Sequence, residues 1–118
     1  TSANAEVGYL DYQKVLDNYP AAQQAVKDID AKGLELQQYM LEKEKQYKTL
    51  DTPLKKQNFE TQTANEFKAK QDALYKLRSD KETQILNQVQ AAAKSVMVSQ
   101  RLDAILSDVT DLIIQQLK

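Results

Sequence analysis

The chain has 118 residues, of which 42% are apolar and 28% charged, and its formal net charge is -1. It contains no cysteine and no histidine, so it cannot form a disulfide, a zinc finger, a thiol nucleophile or a Ser-His-Asp triad. Its two glycines, Gly8 and Gly33, lie far apart, which excludes a phosphate-binding glycine loop. We therefore expect no enzyme activity, no metal site and no cofactor.

Helix breakers are scarce, with only two glycines and two prolines, and this scarcity predicts long helices. The mildly acidic charge balance argues against a nucleic-acid-binding protein. Near the start, Ala3-Asn4-Ala5 has the small-x-small form of a signal peptidase site. Export with cleavage before Glu6 is one interpretation of this segment, and a cloning remnant is the other.

The first elements are predicted to be short. Residues Glu6 to Asp11 favour a strand, because Val7, Tyr9 and Leu10 are common in strands. Asp11 can then cap a helical turn over residues 12–18. The turn ends before Pro20, because the residue before a proline is disfavoured in helical conformation.

A long helix is predicted from Pro20 to Leu50, where a proline suits the first turn. Its seam follows heptad spacing, with Gly33 and Lys43 as defects, and consists of Val26, Ile29, Gly33, Leu36, Met40, Lys43, Tyr47 and Leu50. A bend is one interpretation of Gly33. Tyr39 is assigned to the flank of this seam.

Asp51-Thr52-Pro53 predicts that the chain reverses, because Pro53 cannot lie in a helix interior without breaking it. Asp51 or Thr52 would cap a third helix from about Leu54 to Ser99, roughly 69 Å long at 1.5 Å per residue. This helix exceeds its partner in length, so its far end must pack on another part of the protein. Its second half carries the stronger seam, made of Leu74, Leu77, Ile85, Leu86, Val89, Ala92 and Val96.

The spacing of apolar residues changes after Ser99. A strand is predicted around residues 102–106, and Ser107-Asp108 is predicted to cap a final helix from Val109 to Leu117. Two strands are too few for a stable sheet, so we expect oligomerisation. The predicted oligomer interface consists of Val7, Tyr9, Leu10, Leu102, Ile105 and Leu106.

These elements predict a mainly α protein with a small β part. A body and oligomerisation region would comprise residues 1–19 and 100–118, and a coiled-coil-like helical hairpin would comprise residues 20–99, with its tip near 51–53.

The hairpin offers two kinds of candidate binding residue. Between Lys43 and Lys81, ten basic residues outnumber six acidic ones, so Lys55 and Lys56 near the tip lie in a locally basic stretch. Solvated ion pairs such as Glu66 with Lys70 are one interpretation, and contact with anionic lipid or an acidic client is the other. The aromatic residues either fill the interface between the two helices or offer adaptable apolar surface to an unfolded chain. They are Tyr39, Tyr47, Phe59 and Phe67.

The two ends of the chain carry a family resemblance. Residues 7–16 read Val-Gly-Tyr-Leu-Asp-Tyr-Gln-Lys-Val-Leu and are followed by Asn18-x-Pro20. This opening resembles the first strand and helix of the Skp/OmpH family of periplasmic chaperones. Asp108-Val109-Thr110, followed by an apolar helix ending in Leu117-Lys118, resembles the family's C-terminal element. The hairpin between them is similar to the family's but less specific.

The resemblance implies a homotrimer in the periplasm. Short strands from three chains would form a shared β-barrel-like core, and three helical hairpins would enclose a cavity that holds unfolded outer-membrane proteins without ATP. One departure is that the family usually has a further strand and tight turn before the C-terminal helix, whereas here Ser107 follows Leu106 directly. Either this chain has lost that hairpin, or residues are absent from the sequence at that point.

Two functions of different classes follow. The first is an ATP-independent holdase that binds unfolded outer-membrane proteins, and the alternative is a structural coiled-coil spacer or tether of the cell envelope. The spacer or tether would use the same helical hairpin mechanically.

Overall fold

A computed structural model describes residues 6–100, 102–108 and 110–118, with the backbone alone described at 6–9, 100 and 102–108. The predicted signal peptidase segment, Ala3 to Ala5, lies outside the described residues. Most of the chain is helical, as predicted. The elements in chain order are β1 (Glu6–Tyr9), α1 (Tyr12–Asp17), α2 (Pro20–Tyr47), α3 (Pro53–Gln100), β2 (Leu102–Asp108) and α4 (Thr110–Leu117).

The starts of the first three helices follow from local chemistry. Asp11 caps α1, because its carboxylate accepts a hydrogen bond from the Lys14 backbone N–H at 3.1 Å. Helix α2 begins at Pro20, which has no backbone N–H to leave unpaired. Thr52 caps α3, since its hydroxyl accepts from the Lys55 backbone N–H at 3.2 Å. The predicted cap at Asp11 is thus confirmed. Of the two residues predicted to cap the third helix, Asp51 and Thr52, it is Thr52 that does so.

The chain reverses between α2 and α3. The rings of Tyr47 and Phe59 lie 6.3 Å apart near the turn, and farther from it the Tyr39 hydroxyl donates to Glu66. Contacts in this order require two antiparallel helices, so the predicted reversal before Pro53 is confirmed.

The chain divides into two compact units. The hairpin unit comprises Lys27–Asp80, and the terminal unit comprises Thr1–Val26 together with Lys81–Lys118. Both unit boundaries fall inside the long helices α2 and α3. The predicted division into a body at 1–19 and 100–118 and an arm at 20–99 stays a prediction.

The seam of α2 in the hairpin unit differs in part from the heptad prediction. Ile29, Leu36 and Lys43 are half-buried as expected, but Tyr39 is half-buried while 39% of Met40 is exposed. Tyr39 therefore takes the interior position that the sequence assigned to Met40. A heptad count alone cannot choose between adjacent apolar positions, because the direction from which α3 approaches decides which of them is covered.

The terminal unit has its own apolar core. Val15 of α1, Val89 of α3 and Ile113 of α4 have no exposed surface, and the small side chains around them allow close helix packing. The prediction that the far end of the third helix packs on another part of the protein is confirmed. The complete buried cluster is Val15, Tyr19, Ala22, Val89, Ala92, Ala93, Val96, Ile113 and Ile114.

Strands β1 and β2 pair in parallel, with two irregularities in register. Strand β2 runs without interruption through Leu106 and Ser107. The predicted cap at Ser107-Asp108 is wrong, because both residues belong to β2 and α4 begins at Thr110. Asp108 is held in the strand by its pairing with Tyr9.

The predicted oligomer interface falls mostly on backbone-only positions. The side chains of Val7, Tyr9, Leu102, Ile105 and Leu106 lie outside the described residues, so their role stays a prediction. The remaining member, Leu10, is half-buried and packs against the core of its own chain.

Gly33 leads to a stability prediction. It lies in the interior of α2, and a Cβ built on it would have no atom within 4 Å. Alanine loses less backbone entropy than glycine in a helix, so Gly33→Ala should raise the free energy of unfolding by about 0.5 to 1 kcal/mol. Urea denaturation followed by circular dichroism measures this change. A lower unfolding free energy would show that the glycine serves close packing instead.

Candidate binding groove

An open apolar groove runs between α2 and α3 in the hairpin unit, with a volume of about 1130 Å³. Most of its lining is aliphatic or aromatic, and the polar members lie mainly toward the turn. We call it the interhelical groove. Its lining consists of Gly33, Leu36, Gln37, Met40, Leu41, Lys43, Glu44 and Tyr47 from α2, and of Phe59, Glu60, Thr63, Ala64, Phe67 and Leu74 from α3.

Each helix contributes a heptad row to the interhelical groove. On α2 the row is Gly33, Met40 and Tyr47, and on α3 it is Glu60, Phe67 and Leu74. Residues seven apart lie almost directly above one another on a helix, so each row follows the helix axis. The groove therefore follows both helices over the length of these rows.

The groove collects three of the four aromatic residues predicted from the sequence. Tyr47, Phe59 and Phe67 are half-buried in its lining, and the rings of the first two are tilted at 43° to each other. Each ring is thus partly covered and partly open. Whether they contact a client stays a prediction.

Tyr39, the fourth aromatic residue, is not part of the lining of the interhelical groove. It lines a smaller groove of about 350 Å³, whose other members include Lys32, Lys70 and Leu77. The Tyr39 hydroxyl donates a hydrogen bond to the Glu66 carboxylate at 2.5 Å, and the Lys43 ammonium lies 3.8 Å from that carboxylate. These contacts link α2 to α3 by a polar cluster.

Two ammonium groups lie over the aromatic rings of this cluster. Lys70 is 5.0 Å from the centre of the Tyr39 ring, and Lys43 is 5.4 Å from that centre and 5.6 Å from that of Phe59. Both distances to Tyr39 fall within the range of cation–π attraction. The heptad pattern predicted Lys43 to be a defect of the seam. In the structure the charge of Lys43 is compensated by the Glu66 carboxylate and by the Tyr39 and Phe59 rings.

The ionisable groups of the cluster respond to these contacts. Partial desolvation and the hydrogen bond to Glu66 raise the pKa of Tyr39 to about 12. The same hydrogen bond, supported by Gln62, lowers the pKa of Glu66. At the edge of the interhelical groove, a hydrogen bond to Glu60 and desolvation raise the pKa of Tyr47.

The two predicted tip cations lie outside the linings of both grooves. The Lys55 ammonium is 3.1 Å from the Asp51 carboxylate one helical turn earlier, in a solvent-exposed ion pair. The Lys56 ammonium lies 5.6 Å from the centre of the Tyr47 ring. Lys56 thus approaches the aromatic end of the interhelical groove, whereas Lys55 belongs to the turn.

Several groove residues were not among the sequence candidates. Met40, Leu41 and Leu36 supply much of the aliphatic lining, and the first two are exposed. Leu34 and Leu41 fall outside the predicted seam but are seven residues apart. This spacing could have indicated a second apolar row on α2.

In the part of the chain that the structure describes, no three His, Cys, Asp or Glu side chains come together in a way that could hold a metal ion. None of the described helices combines the length and the apolar character needed to cross a membrane. The interhelical groove thus offers a mainly apolar surface, whereas the smaller groove is lined by charged and apolar residues alike.

Comparison with models of known protein families and with curated proteins finds no match to this chain.

A change of pH should affect the Tyr39–Glu66 contact at both extremes. Because folding raises the pKa of Tyr39 above its ordinary value of 10 to about 12, this stabilisation is present below pH 10 and is lost as the pH rises toward 12. Because folding lowers the pKa of Glu66, the stabilisation is present above pH 4.5 and is lost as the pH falls below it.

Tyr39→Phe removes the hydroxyl and should lower the unfolding free energy near pH 7 by about 1 kcal/mol or less, because water can replace a half-exposed partner. The measurement is urea denaturation of the parent, Tyr39→Phe, Glu66→Gln and the double variant from pH 4 to pH 11. Tyrosinate absorbance followed against pH should show that Tyr39→Phe has lost one tyrosine whose pKa lies near 12. If the changes in unfolding free energy of the two single variants add up to that of the double variant at every pH, the contact would be contradicted.

Proposed function

We propose that this chain is an ATP-independent holdase chaperone, similar to the Skp/OmpH family, that binds unfolded outer-membrane proteins in the periplasm. It would act as a homotrimer in which three helical arms form a cavity around the client and the strands contribute to a shared β-barrel-like core. The residues proposed to contact clients are Tyr39, Tyr47, Phe59, Phe67, Lys55 and Lys56.

The observation that carries this proposal is the amount of apolar surface left open on the hairpin unit. Several large apolar side chains of this unit are more than half exposed: Leu41, which lines the interhelical groove, and Leu34, Leu54 and Tyr75, which lie outside its lining. Leu34 and Leu41 lie seven residues apart on one face of α2, and apolar side chains grouped on a surface mark sites of interaction with protein or membrane. A coiled-coil spacer gains nothing from such exposure, whereas a holdase uses it to bind non-native chains.

The terminal unit offers support for the trimer. Among the described residues the sheet has two strands, β1 and β2, so each strand has an edge without a strand partner. Isolated two-stranded sheets are marginally stable, and unpaired edges tend to associate. Val98 is 73% exposed and Leu112 is 44% exposed in the same unit. Pairing of strands between chains would cover these edges.

The cations near the turn would contribute to capture. Lys55 is solvent-exposed and Lys56 lies beside an aromatic ring, so both can approach an acidic client before apolar contacts form. Attraction between opposite charges raises association rates and weakens with salt. Client capture should therefore slow as ionic strength rises, while the lifetime of the complex changes less.

Dilution of a urea-denatured outer-membrane barrel protein tests the proposal, with aggregation followed by light scattering. We expect suppression at about three copies of the chain per client. Replacing Leu34 and Leu41 by glutamine should remove about 1 kcal/mol of apolar contact each, which weakens binding at least tenfold. A matched control replaces Glu42 and Lys45 by glutamine, which preserves the net charge and the apolar surface. Absence of suppression by the parent chain would favour the spacer.

A further inference from the structure

We propose that Met40 is a redox-sensitive position of the hairpin unit, at which a hydroperoxide oxidises the thioether to the sulfoxide and so makes the middle of the interhelical groove polar. The inference concerns the chemistry of one lining residue. It goes beyond the proposed holdase function, because it requires neither a client nor an oligomer.

Sulfur in this chain is confined to two methionines, Met40 and Met97, because there is no cysteine. There is no tryptophan either, so the two thioethers are the side chains that a hydroperoxide oxidises most readily. Met40 lies in α2 and Met97 in α3. Of the two, Met40 lines the interhelical groove. Peroxide chemistry in the groove is therefore directed to the Met40 sulfur.

Met40 is accessible from the open side of the groove. It is 39% exposed and occupies the middle of the α2 row, between Gly33 and Tyr47. Long side chains on a helix lean toward its N-terminus, so we expect the Met40 thioether to extend toward the turn that contains Gly33. Gly33 has no side chain, and a Cβ placed there would have no atom within 4 Å. A small peroxide can approach the sulfur through this open space.

The reaction transfers one oxygen atom to Met40. The sulfur lone pair attacks the terminal oxygen of the hydroperoxide, an S–O bond forms and the O–O bond breaks. Sulfur loses two electrons, and the peroxide accepts them and leaves as water from hydrogen peroxide or as an alcohol from an alkyl hydroperoxide. The proton of the terminal hydroxyl moves to the leaving oxygen, so no further reactant is needed.

The sulfoxide should change the surface of the groove rather than the fold. It places a hydrogen-bond acceptor in a lining whose other members include Leu36 and Phe67. Met40 is partly exposed, so water can solvate the new oxygen, and Gln37, one turn earlier in the lining, carries an amide donor. The oxidised chain thus avoids a buried unpaired acceptor. We expect the helices to persist while the groove loses affinity for apolar groups.

Two variants assign the effect to one sulfur. Met97→Leu leaves Met40 as the only methionine, and Met40→Leu leaves only Met97. Leucine preserves the apolar character and nearly the volume of methionine, so both variants should fold. Met40→Gln carries a polar side chain of similar length and should reproduce the oxidised state without peroxide.

The fluorescent apolar dye bis-ANS, titrated into the full chain before and after treatment with hydrogen peroxide, tests the inference. Mass spectrometry of peptides should show one added oxygen on Met40, and circular dichroism should show intact helices. Loss of one apolar contact should weaken dye binding about threefold or more, both in oxidised Met97→Leu and in untreated Met40→Gln. Peroxide should leave dye binding by Met40→Leu unchanged.

Reduction by methionine sulfoxide reductases with dithiothreitol should restore dye binding to oxidised Met97→Leu, because it returns the sulfoxide to the thioether. Unchanged dye binding after complete oxidation of Met40, or an equal loss in Met40→Leu, would overturn the inference. A Met40 sulfur that stays unoxidised while free methionine in the same solution is consumed would also overturn it.

The holdase proposal can fail independently of this inference. Loss of dye binding on oxidation of Met40, in a chain that does not suppress client aggregation, would support the redox-sensitive position and contradict the holdase. Suppression of aggregation by a chain whose dye binding is unaffected by Met40 oxidation would support the holdase and overturn the redox-sensitive position.

Discussion

Ile113→Ala should lower the free energy of unfolding by about 3 kcal/mol, the largest effect that we expect from a single truncation in this chain. Ile113 has no exposed surface and lies in the core that joins α1, α3 and α4. Removing three carbons there loses apolar burial and leaves a cavity that the neighbouring Val15 and Val89 cannot fill without moving. Urea denaturation at a fixed protein concentration measures the change.

Leu112→Ala is the matched control for this truncation. Leu112 precedes Ile113 on α4 but is 44% exposed, so its loss should cost less than half as much. Equal effects of the two truncations would contradict the assignment of Ile113 to the core. A strong effect of Leu112→Ala that disappears on dilution to monomer would instead assign Leu112 to an interface between chains.

Thr110→Val should destabilise the chain by about 2 kcal/mol, although it preserves the size and shape of the side chain. Thr110 is fully buried at the start of α4, and its hydroxyl accepts a hydrogen bond from the Asp11 backbone N–H at 3.1 Å. Valine leaves this N–H without that partner in a partly buried position, which costs more than the hydrogen bond contributes net.

The Thr110 contact joins the two ends of the chain, because Asp11 is also the cap of α1. Loss of the contact should therefore weaken α1 and α4 together. Thr110→Ser retains the hydroxyl and should recover much of the loss, apart from the missing methyl group. Hydrogen exchange of the Asp11 amide follows the bond directly. Unchanged protection of this amide in Thr110→Val would contradict the account.

The helices and the reversal could be predicted because their determinants are local. Pro20 and Pro53 fix two helix starts through the geometry of their own rings, and Asp11 and Thr52 cap the nearest free N–H groups. Scarcity of other breakers predicted the length of α3. None of these features depends on contacts between distant parts of the chain.

The interhelical groove could be predicted only in part, since it depends on how two helices approach each other. The aromatic residues Tyr47, Phe59 and Phe67 were singled out from the sequence and line the groove, but heptad spacing assigned Met40 rather than Tyr39 to the interior. The bond from Tyr39 to Glu66 joins residues far apart in sequence and draws Tyr39 toward α3. No local pattern specifies such a pairing.

The start of α4 was mispredicted for a similar reason. Asp108 is a good helix cap when only its neighbours are considered, and the sequence offered no competing local signal. Its place in β2 follows from pairing with Tyr9, which lies at the other end of the chain. Long-range strand pairing thus prevails over a local capping preference.

We propose that copies of this chain assemble and together hold an unfolded client. Sedimentation velocity of the complex formed when a urea-denatured outer-membrane barrel protein is diluted into the full chain tests it most directly. We expect one soluble species that contains one client and three copies of the chain. When the client is omitted, we expect the chain to sediment as a trimer. A monomeric chain at micromolar concentration, with the client recovered as aggregate, would contradict it.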